Sequence, residues 1–185
     1  MTKQELRKHI KEIQKPFFED SLYRIHKSYE ISSKIISSFE FKNAENVFCF
    51  MPLSDEVNII SVMTESFLNN KKVAVPRITD IDGKMEFIWI TLNSKFQKGE
   101  FSISEPENTE KPVDMKTVLG KSLILVPGRA FTKDGKRLGR GKGFYDLFLS
   151  EYKNLFYKMG VCFPFQIVKD LPVETNDIPV DSVIF

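Results

Sequence analysis

The chain has 185 residues, of which 42% are apolar and 28% charged, with a formal net charge of +2. Phe, Ile, Val and Leu recur along its whole length, which excludes a disordered protein, and the small net charge gives no general polyanion-binding surface. The N-terminal MTKQELRKHIKEIQK has no apolar region of the signal-peptide type, and no stretch approaches the roughly 18 apolar residues that a membrane span needs. A cytoplasmic protein is expected, with residues 1–185 forming a single domain and no nucleic-acid, membrane or obligate protein partner.

In chain order, residues 2–15 read as an amphipathic helix. Thr2 and Glu5 have capping-box spacing, Leu6, Ile10 and Ile13 share a face, and Pro16 ends or bends the helix. A second helix is expected over 20–39, with Leu22, Ile25, Ile35, Ile36 and Phe39 on its apolar side. NVFCF (46–50) reads as a short buried strand. Ser54 or Asp55 caps a third helix reaching Leu68, whose stripe is Val57, Ile60, Thr64, Phe67 and Leu68.

KVAVPRI (72–78) is the next strand, with Pro76 pushed toward its end. The DIDG turn (80–83) leads into KMEFIWI (84–90), where alternation puts Met85, Phe87 and Trp89 on one face and a hairpin is the simplest pairing. Residues 91–120 read as irregular chain with one short strand near 101–103. KSLILVP (121–127) is the clearest buried strand. A helix over 144–152, a strand over 157–163 and a last short strand in VDSVIF follow. The alternation of strand, loop and helix predicts an α/β layered protein with a mostly parallel sheet.

Cys49 and Cys162 sit in apolar runs without metal-ligand spacing and are expected as buried free thiols.

The segment with most chemical content is VPGRAFTKDGKRLGRGKGFYD (126–146). Between 127 and 145 it holds six basic residues, Arg129, Lys133, Lys136, Arg137, Arg140 and Lys142, against one acid, Asp134. Gly139, Gly141 and Gly143 alternate with Arg140 and Lys142 between a strand and a helix. Glycines let backbone N–H groups converge on an anion, the helix N-terminus adds partial positive charge, and the basic side chains neutralise phosphate oxygens. The spacing is neither a Walker A loop nor a dinucleotide fingerprint. A solvated surface loop is the competing reading.

Asp146 can hold Mg²⁺ beside a phosphate, or simply favour the helix N-terminus. Lys3 and Arg7, four apart, share a helix face that can reach a triphosphate or face solvent. Glu56 follows the first strand, at the end of a parallel sheet where ligands bind, and a carboxylate there can pair with the donor edge of a pterin, or simply be an acid in a helix's first turn. Met85, Trp89 and Tyr145 are residue types that line pockets for flat ligands, though each alone is more often core.

Taken together these stretches resemble the 5-formyltetrahydrofolate cyclo-ligase family. The resemblance runs through KQELRK, MPLSDEV, KMEF, SEP (104–106), LILVPGRAFTKDGKRLGRGKGFYDLFL, FPFQ and LPVETNDIPVD. It implies a three-layer α/β sandwich with a mostly parallel central sheet, similar to the sugar-phosphate isomerase and CoA-transferase group. It implies an ATP-dependent conversion of 5-formyltetrahydrofolate, often polyglutamylated, to 5,10-methenyltetrahydrofolate, with Mg²⁺.

Carried over residue by residue, ATP contacts fall on Lys3, Gln4, Glu5, Leu6 and Arg7, and on Arg137, Leu138, Gly139, Arg140, Gly141, Lys142, Gly143, Phe144 and Tyr145. Metal carboxylates fall on Asp146 and Asp177, and folate contacts on Met51, Glu56, Trp89 and Glu105. Arg140, Lys142 and Tyr145 take catalytic roles. The chain departs from the family in having Asn176 before Asp177, where many members have His, and Arg129 after the Pro-Gly pair, where an apolar residue is common. A sugar-phosphate isomerase or CoA transferase, active without nucleotide, and a nucleotide-binding regulatory module without turnover are the rival readings.

Overall fold

The computed structural model describes residues 1–80, 84–99, 103–107, 111–152 and 154–185, with the backbone alone at Asp80. The turn expected at 80–83 and the strand expected at 101–103 fall largely outside these residues.

Helix α1 (Lys3–Glu19) starts with the expected capping box. The Thr2 N–H donates to Glu5 Oε2 at 2.8 Å, and the Glu5 N–H donates to Thr2 Oγ1 at 3.2 Å. Pro16 does not end this helix but lies inside it. A proline in a helix interior costs about 3 kcal/mol. Phe17 and Phe18, just beyond it, make four aromatic pairs with Tyr23, Phe163 and Phe165. At about 0.5–1.5 kcal/mol per pair beyond burial, these together offset a cost of that size.

Helix α2 (Ser21–Ser37) is capped by Asp20, whose Oδ1 accepts the Tyr23 N–H at 3.0 Å. Its buried face is only partly the expected one, since Ile35 is buried and Ile36 packs against the same core as expected. Leu22, Ile25 and Phe39 are exposed, and Ser28, Ile31, Ser32 and Ile35 are buried. The serines decide this. Ser28 Oγ accepts the Asn58 N–H and Ser32 Oγ donates to the Asn58 carbonyl, so their small side chains let the 51–59 loop approach the helix closely. A five-residue helix, α3 (Phe39–Asn43), follows and precedes strand β1 (Asn46–Phe48).

The third expected helix is shorter than read. Helix α4 (Ile60–Leu68) buries Val62, Met63 and Ser66, while Ile60 and Leu68 are exposed. Residues 51–59 are a loop instead, because Asp55 and Glu56 pair with arginines from elsewhere rather than capping a helix turn.

Strands β2 (Lys72–Asp80) and β3 (Lys84–Ile90) form the expected antiparallel pair. Pro76 sits within β2, paired with Phe87. The parallel ladder to β1 stops at Ala74, so the missing N–H of Pro76 falls where no strand needs it. On the same edge, the Ile78 N–H donates to the Glu105 carboxylate at 3.1 Å.

Strands β4 (Phe96–Lys98) and β5 (Ser104–Pro106) make a small antiparallel pair, one before and one after the single strand expected near 101–103. Strand β6 (Ser122–Pro127), the two-stranded β7 (Ala130–Phe131) and β8 (Arg137–Leu138), α5 (Phe144–Glu151), β9 (Phe156–Val161) and β10 (Ser182–Ile184) complete the order.

The main sheet has the order β10-β9-β6-β1-β2-β3 and is parallel except for the β2–β3 pair. Alternate residues feed two cores. Val47, Val73, Leu123 and Met159 pack with Ile31, Ile35, Val62 and Met63 of α2 and α4. Phe48, Ala74, Ile124 and Phe156 pack with Phe148 and Leu149 of α5. The result is helices, sheet, helix in three layers. From β1 the chain builds outward to β2 and β3 on one side, then to β6, β9 and β10 on the other. The carboxyl ends of β1 and β6 therefore diverge and leave a crevice.

Candidate active site

That crevice opens into a cavity of about 1090 Å³. Its floor is supplied by chain leaving the strands: Phe50 and Met51 after β1, Pro76 and Ile78 of β2, and Pro127 and Gly128 at the end of β6. The glycine-rich loop and the start of α1 close it from one side.

On this cationic side, β8 presents Arg137 and Leu138, and 139–143 turn the chain into α5. Gly141 and Gly143 have φ of +109° and +74°, which glycine adopts at no steric cost. Gly143 is the N-cap of α5 and supplies no capping side chain. The helix N-terminus, with Phe144, Tyr145 and Asp146 in its first turn, is thus set against the cavity with its partial positive charge. Lys142 lines the same wall.

Helix α1 contributes Lys3, Gln4 and Arg7 to the lining. The Arg7 Nε donates to the Gly139 carbonyl at 2.8 Å, which ties the helix to the loop. Lys3 Nζ donates to both Asp177 oxygens, at 2.8 and 2.7 Å. Glu5 and Leu6, expected beside them, are not among the lining residues. Glu5 completes the capping box, and Leu6 is buried against Ile10, Ala130, Leu138 and Leu171. Along a 3.6-residue helix Lys3, Gln4 and Arg7 cluster on one arc, and Glu5 and Leu6 fall outside it.

Asp146 and Asp177 both line the cavity, and both are already engaged by cations. Asp146 Oδ1 accepts from Arg137 Nη2 at 2.6 Å and from the Ile178 N–H at 3.2 Å. The Arg137 side chain is only 4% exposed. The guanidinium is therefore buried while the Asp146 side chain is 20% exposed, and removing the acid leaves that guanidinium uncompensated. Tyr145 has a buried hydroxyl without a hydrogen-bond partner. Burial above all, with Glu56 nearby, raises its pKa, so the phenol stays protonated and can donate to a ligand.

The opposite wall is apolar around one carboxylate. Met51, Leu53, Met85 and Ile103 line the cavity together with Glu56. Glu56 Oε2 accepts the Leu53 N–H at 3.0 Å, and Oε1 accepts from Arg140, at 2.9 Å from Nε and 2.8 Å from Nη2. Arg140 also pairs with Asp55 through Nη2 and, at 3.3 Å, through Nη1. Arg129 Nη1 reaches the same Asp55 at 2.5 Å. Burial on its own would raise the Asp55 carboxyl, but Arg140 and then Arg129 hold it below its ordinary value.

Trp89 and Glu105, the two remaining expected folate contacts, are not lining residues. Trp89 packs on Phe48 at 5.3 Å in the α5-side core, because it lies two and four residues beyond Phe87 and Met85 on their shared face and so further from the open end of the sheet. Glu105 is buried and spends one oxygen on the Ile78 N–H.

Two contributors escaped the sequence reading. Asp55 looked like a helix cap, and only the fold brings it to two arginines. Gln166 is buried, with Nε2 donating to the carbonyls of Gly128 and Arg129 at 2.8 and 3.1 Å, so it fixes the turn at the end of β6. Its signal was its place in FPFQ. Cys49 and Cys162 are buried free thiols whose pKa burial raises, which leaves them inert as nucleophiles. Among the described residues, no helix is long and apolar enough to cross a membrane.

The 5-formyltetrahydrofolate cyclo-ligase family model matches residues 1–185. The chain is similar to mouse 5-formyltetrahydrofolate cyclo-ligase, with 29% identity over 171 residues covering 88% of this chain and 83% of the relative. It also resembles 5,10-methenyltetrahydrofolate synthetase from Aquifex aeolicus, whose solution structure has a TM-score of 0.82 and 31% identity, covering 100% of this chain and 89% of that one. A synthetase of the same name from Mycoplasma pneumoniae shares the fold, with a TM-score of 0.75 at 22% identity over 100% of this chain and 98% of that one.

Proposed function

The chain belongs to the 5-formyltetrahydrofolate cyclo-ligase family, and we propose that it is the enzyme its whole length, 1–185, would make as one cyclo-ligase domain. The reaction is ATP-dependent closure of 5-formyltetrahydrofolate to 5,10-methenyltetrahydrofolate, with release of ADP and phosphate. The observation that carries this reading is a single cavity with two unlike walls: glycine amides, a helix N-terminus and Lys3, Arg7, Arg137 and Lys142 on one, and apolar side chains around Glu56 on the other. A phosphate chain suits the first wall and a pterin the second.

The formamide oxygen is a poor leaving group, and its carbon a poor electrophile. In the proposed path that oxygen attacks the γ-phosphorus of ATP, and the bond to the ADP oxygen breaks. The second nitrogen, N10, then bonds to the activated carbon and gives up its proton. The C–O bond breaks last and phosphate departs, leaving the methenyl bridge.

Lys142, Arg140 and the amides of the α5 N-terminus stabilise the charge that spreads over the transferring group. Tyr145, with its protonated and unpartnered hydroxyl, is positioned to donate to an oxygen of the reacting formyl or phosphoryl group. Met51 and Glu56 hold the pterin. Trp89 and Glu105 act behind the pocket in this reading, Trp89 by packing and Glu105 by closing the free edge of β2.

Among the described residues no cluster of three His, Cys, Asp or Glu side chains is poised for a metal. Mg²⁺ beside ATP needs only one or two carboxylates, with phosphate and water supplying the rest, so Asp146 and Asp177 fit it. When bound, it would neutralise charge on the phosphate oxygens. Arg137 and Lys3 hold the two carboxylates in the meantime. Kinship of the fold with the sugar-phosphate isomerase and CoA-transferase group, and a cytoplasmic location, belong to the same proposal. The switch-point crevice supports the first and the free thiols the second.

The test is the absorbance of the methenyl product, with 5-formyltetrahydrofolate and with or without MgATP. Product that forms only with MgATP is expected. Nucleotide binding without product would point to a regulatory module, and turnover of a sugar phosphate without nucleotide to an isomerase.

A further inference from the structure

Arg140 lies between Gly139 and Gly141, so its own backbone does little to fix where the guanidinium points. Two carboxylates do. Glu56 takes its Nε and Nη2, while Asp55 takes its Nη2 and Nη1. The two acids are not equivalent. Glu56 is nearly buried at the apolar wall, where an occupant that uses its Oε1 must displace Arg140. Asp55 is not among the lining residues and has no such competitor.

Asp55 is also anchored from behind. Arg129 holds its Oδ2, and the Arg129 carbonyl is in turn held by Gln166. A continuous chain of contacts thus runs from the end of β6 through Arg129 and Asp55 to the glycine-rich loop. The Arg140 side chain is 33% exposed, against 4% for Arg137. Arg137 is locked in place, whereas Arg140 can turn from Glu56 toward the phosphate end while still gripped by Asp55.

We propose that Asp55 is a positioning residue for the cyclo-ligase reaction, holding Arg140 at the junction of the two ends of the cavity once folate has taken Glu56. This rests on the cyclo-ligase reading. Asp55 acts through Arg140, so its effect belongs in turnover and should vanish when Arg140 is gone. Arg129 is the second anchor. An ion pair that merely braced the 51–59 loop would show in the melt and contribute nothing specific to kcat.

The experiment is a double-mutant cycle on the full chain: wild type, Asp55→Asn, Arg140→Ala and the double variant. It measures kcat and folate KM at saturating MgATP, with thermal melts. Asp55→Asn is expected to lower kcat about ten-fold and leave folate KM within about two-fold, the scale of a lost charge-assisted hydrogen bond to a catalytic group. In the Arg140→Ala background it should cost less than about two-fold, because the pair acts as a unit.

Asp55→Glu, which keeps the charge but displaces the carboxylate, should fall between wild type and Asp55→Asn. If Asp55→Asn does not fold, the same cycle run with Asp55→Glu decides the matter, with loss of kcat expected beside Arg140 and none beside Ala. An equal cost in both backgrounds, or a loss seen only in KM or the melt, would overturn the assignment. An inactive wild type would instead overturn the cyclo-ligase reading beneath it, and the assignment with it.

Discussion

The wall made by 137–146 and the wall made by the β1 loop with β2 and β3 depend on different things. The first works through backbone: glycines at positive φ, an uncapped helix N-terminus, and charges held by partners on other elements. The second works through side-chain shape, with Met51, Leu53, Ile78 and Met85 leaving a slot around one carboxylate. Loss of a side chain from the first wall should therefore appear in turnover, and loss from the second in substrate affinity. Arg140 is the place where they meet, because it belongs to the first wall by sequence and to the second by its contacts.

The largest expected effect breaks the first wall from behind. Asp146→Asn leaves the buried Arg137 guanidinium without a counter-charge. It should cost about 3 kcal/mol of stability, the low end for a broken buried pair because the amide oxygen still accepts. Raised Mg²⁺ demand in the folded variant should accompany it. A denaturant melt with a Mg²⁺ titration of the rate checks both, and an unchanged melt would make the Arg137–Asp146 pair a minor contact.

Lys142→Ala comes next. Its kcat should fall about 100-fold, as for a lost electrostatic stabiliser of the transition state. Its stability should move by no more than about 0.5 kcal/mol, since the site is exposed. Steady-state kinetics beside a melt decide it, and near-normal kcat would leave the lysine a solvating charge.

Glu56→Gln sharpens the contrast from the other side. Folate KM should rise about ten-fold, the scale of one charge-assisted hydrogen bond, while the affinity for a nonhydrolysable ATP analogue stays within about two-fold. A rise in nucleotide Kd of the same size would merge the two walls into one.

The smallest effect concerns acid stability. The Asp55 carboxyl is held below its ordinary value in the folded protein, so its contribution is fully present above the unfolded value of about 3.9 and is lost as pH falls through the folded one. In Asp55→Asn the melting temperature should therefore fall less steeply between about pH 5 and pH 3 than in wild type. Parallel curves would show that the arginines do not favour the charged form.

The same contrast explains what was legible in the sequence. The first wall is nearly contiguous, and its chemistry follows from residue type and spacing: Gly139, Gly141 and Gly143, the strand before them and the helix after. The α/β layering was equally legible, because β1, β2, β3, β6 and β9 are written in apolar runs. The second wall is assembled from distant segments. Asp55 looked like a helix cap because its arginine partners lie 74 and 85 residues away. The first half of the α2 face was misread because Ser28 and Ser32 pack by being small, and hydrophobicity pointed to Leu22 and Ile25 instead, while Ile35 and Ile36 face the core as read. Pro16 read as a stop or a bend because Phe163 and Phe165, which offset its cost, come from the far end of the chain.

The most direct test of phosphoryl transfer to the formyl oxygen follows that atom. With 5-formyltetrahydrofolate labelled with ¹⁸O in the formyl group and MgATP, the phosphate released by the wild-type chain should carry the label, one atom for each methenyl product formed. Unlabelled phosphate released alongside the methenyl product would contradict it, because the oxygen would then have left the carbon without ever bonding to phosphorus.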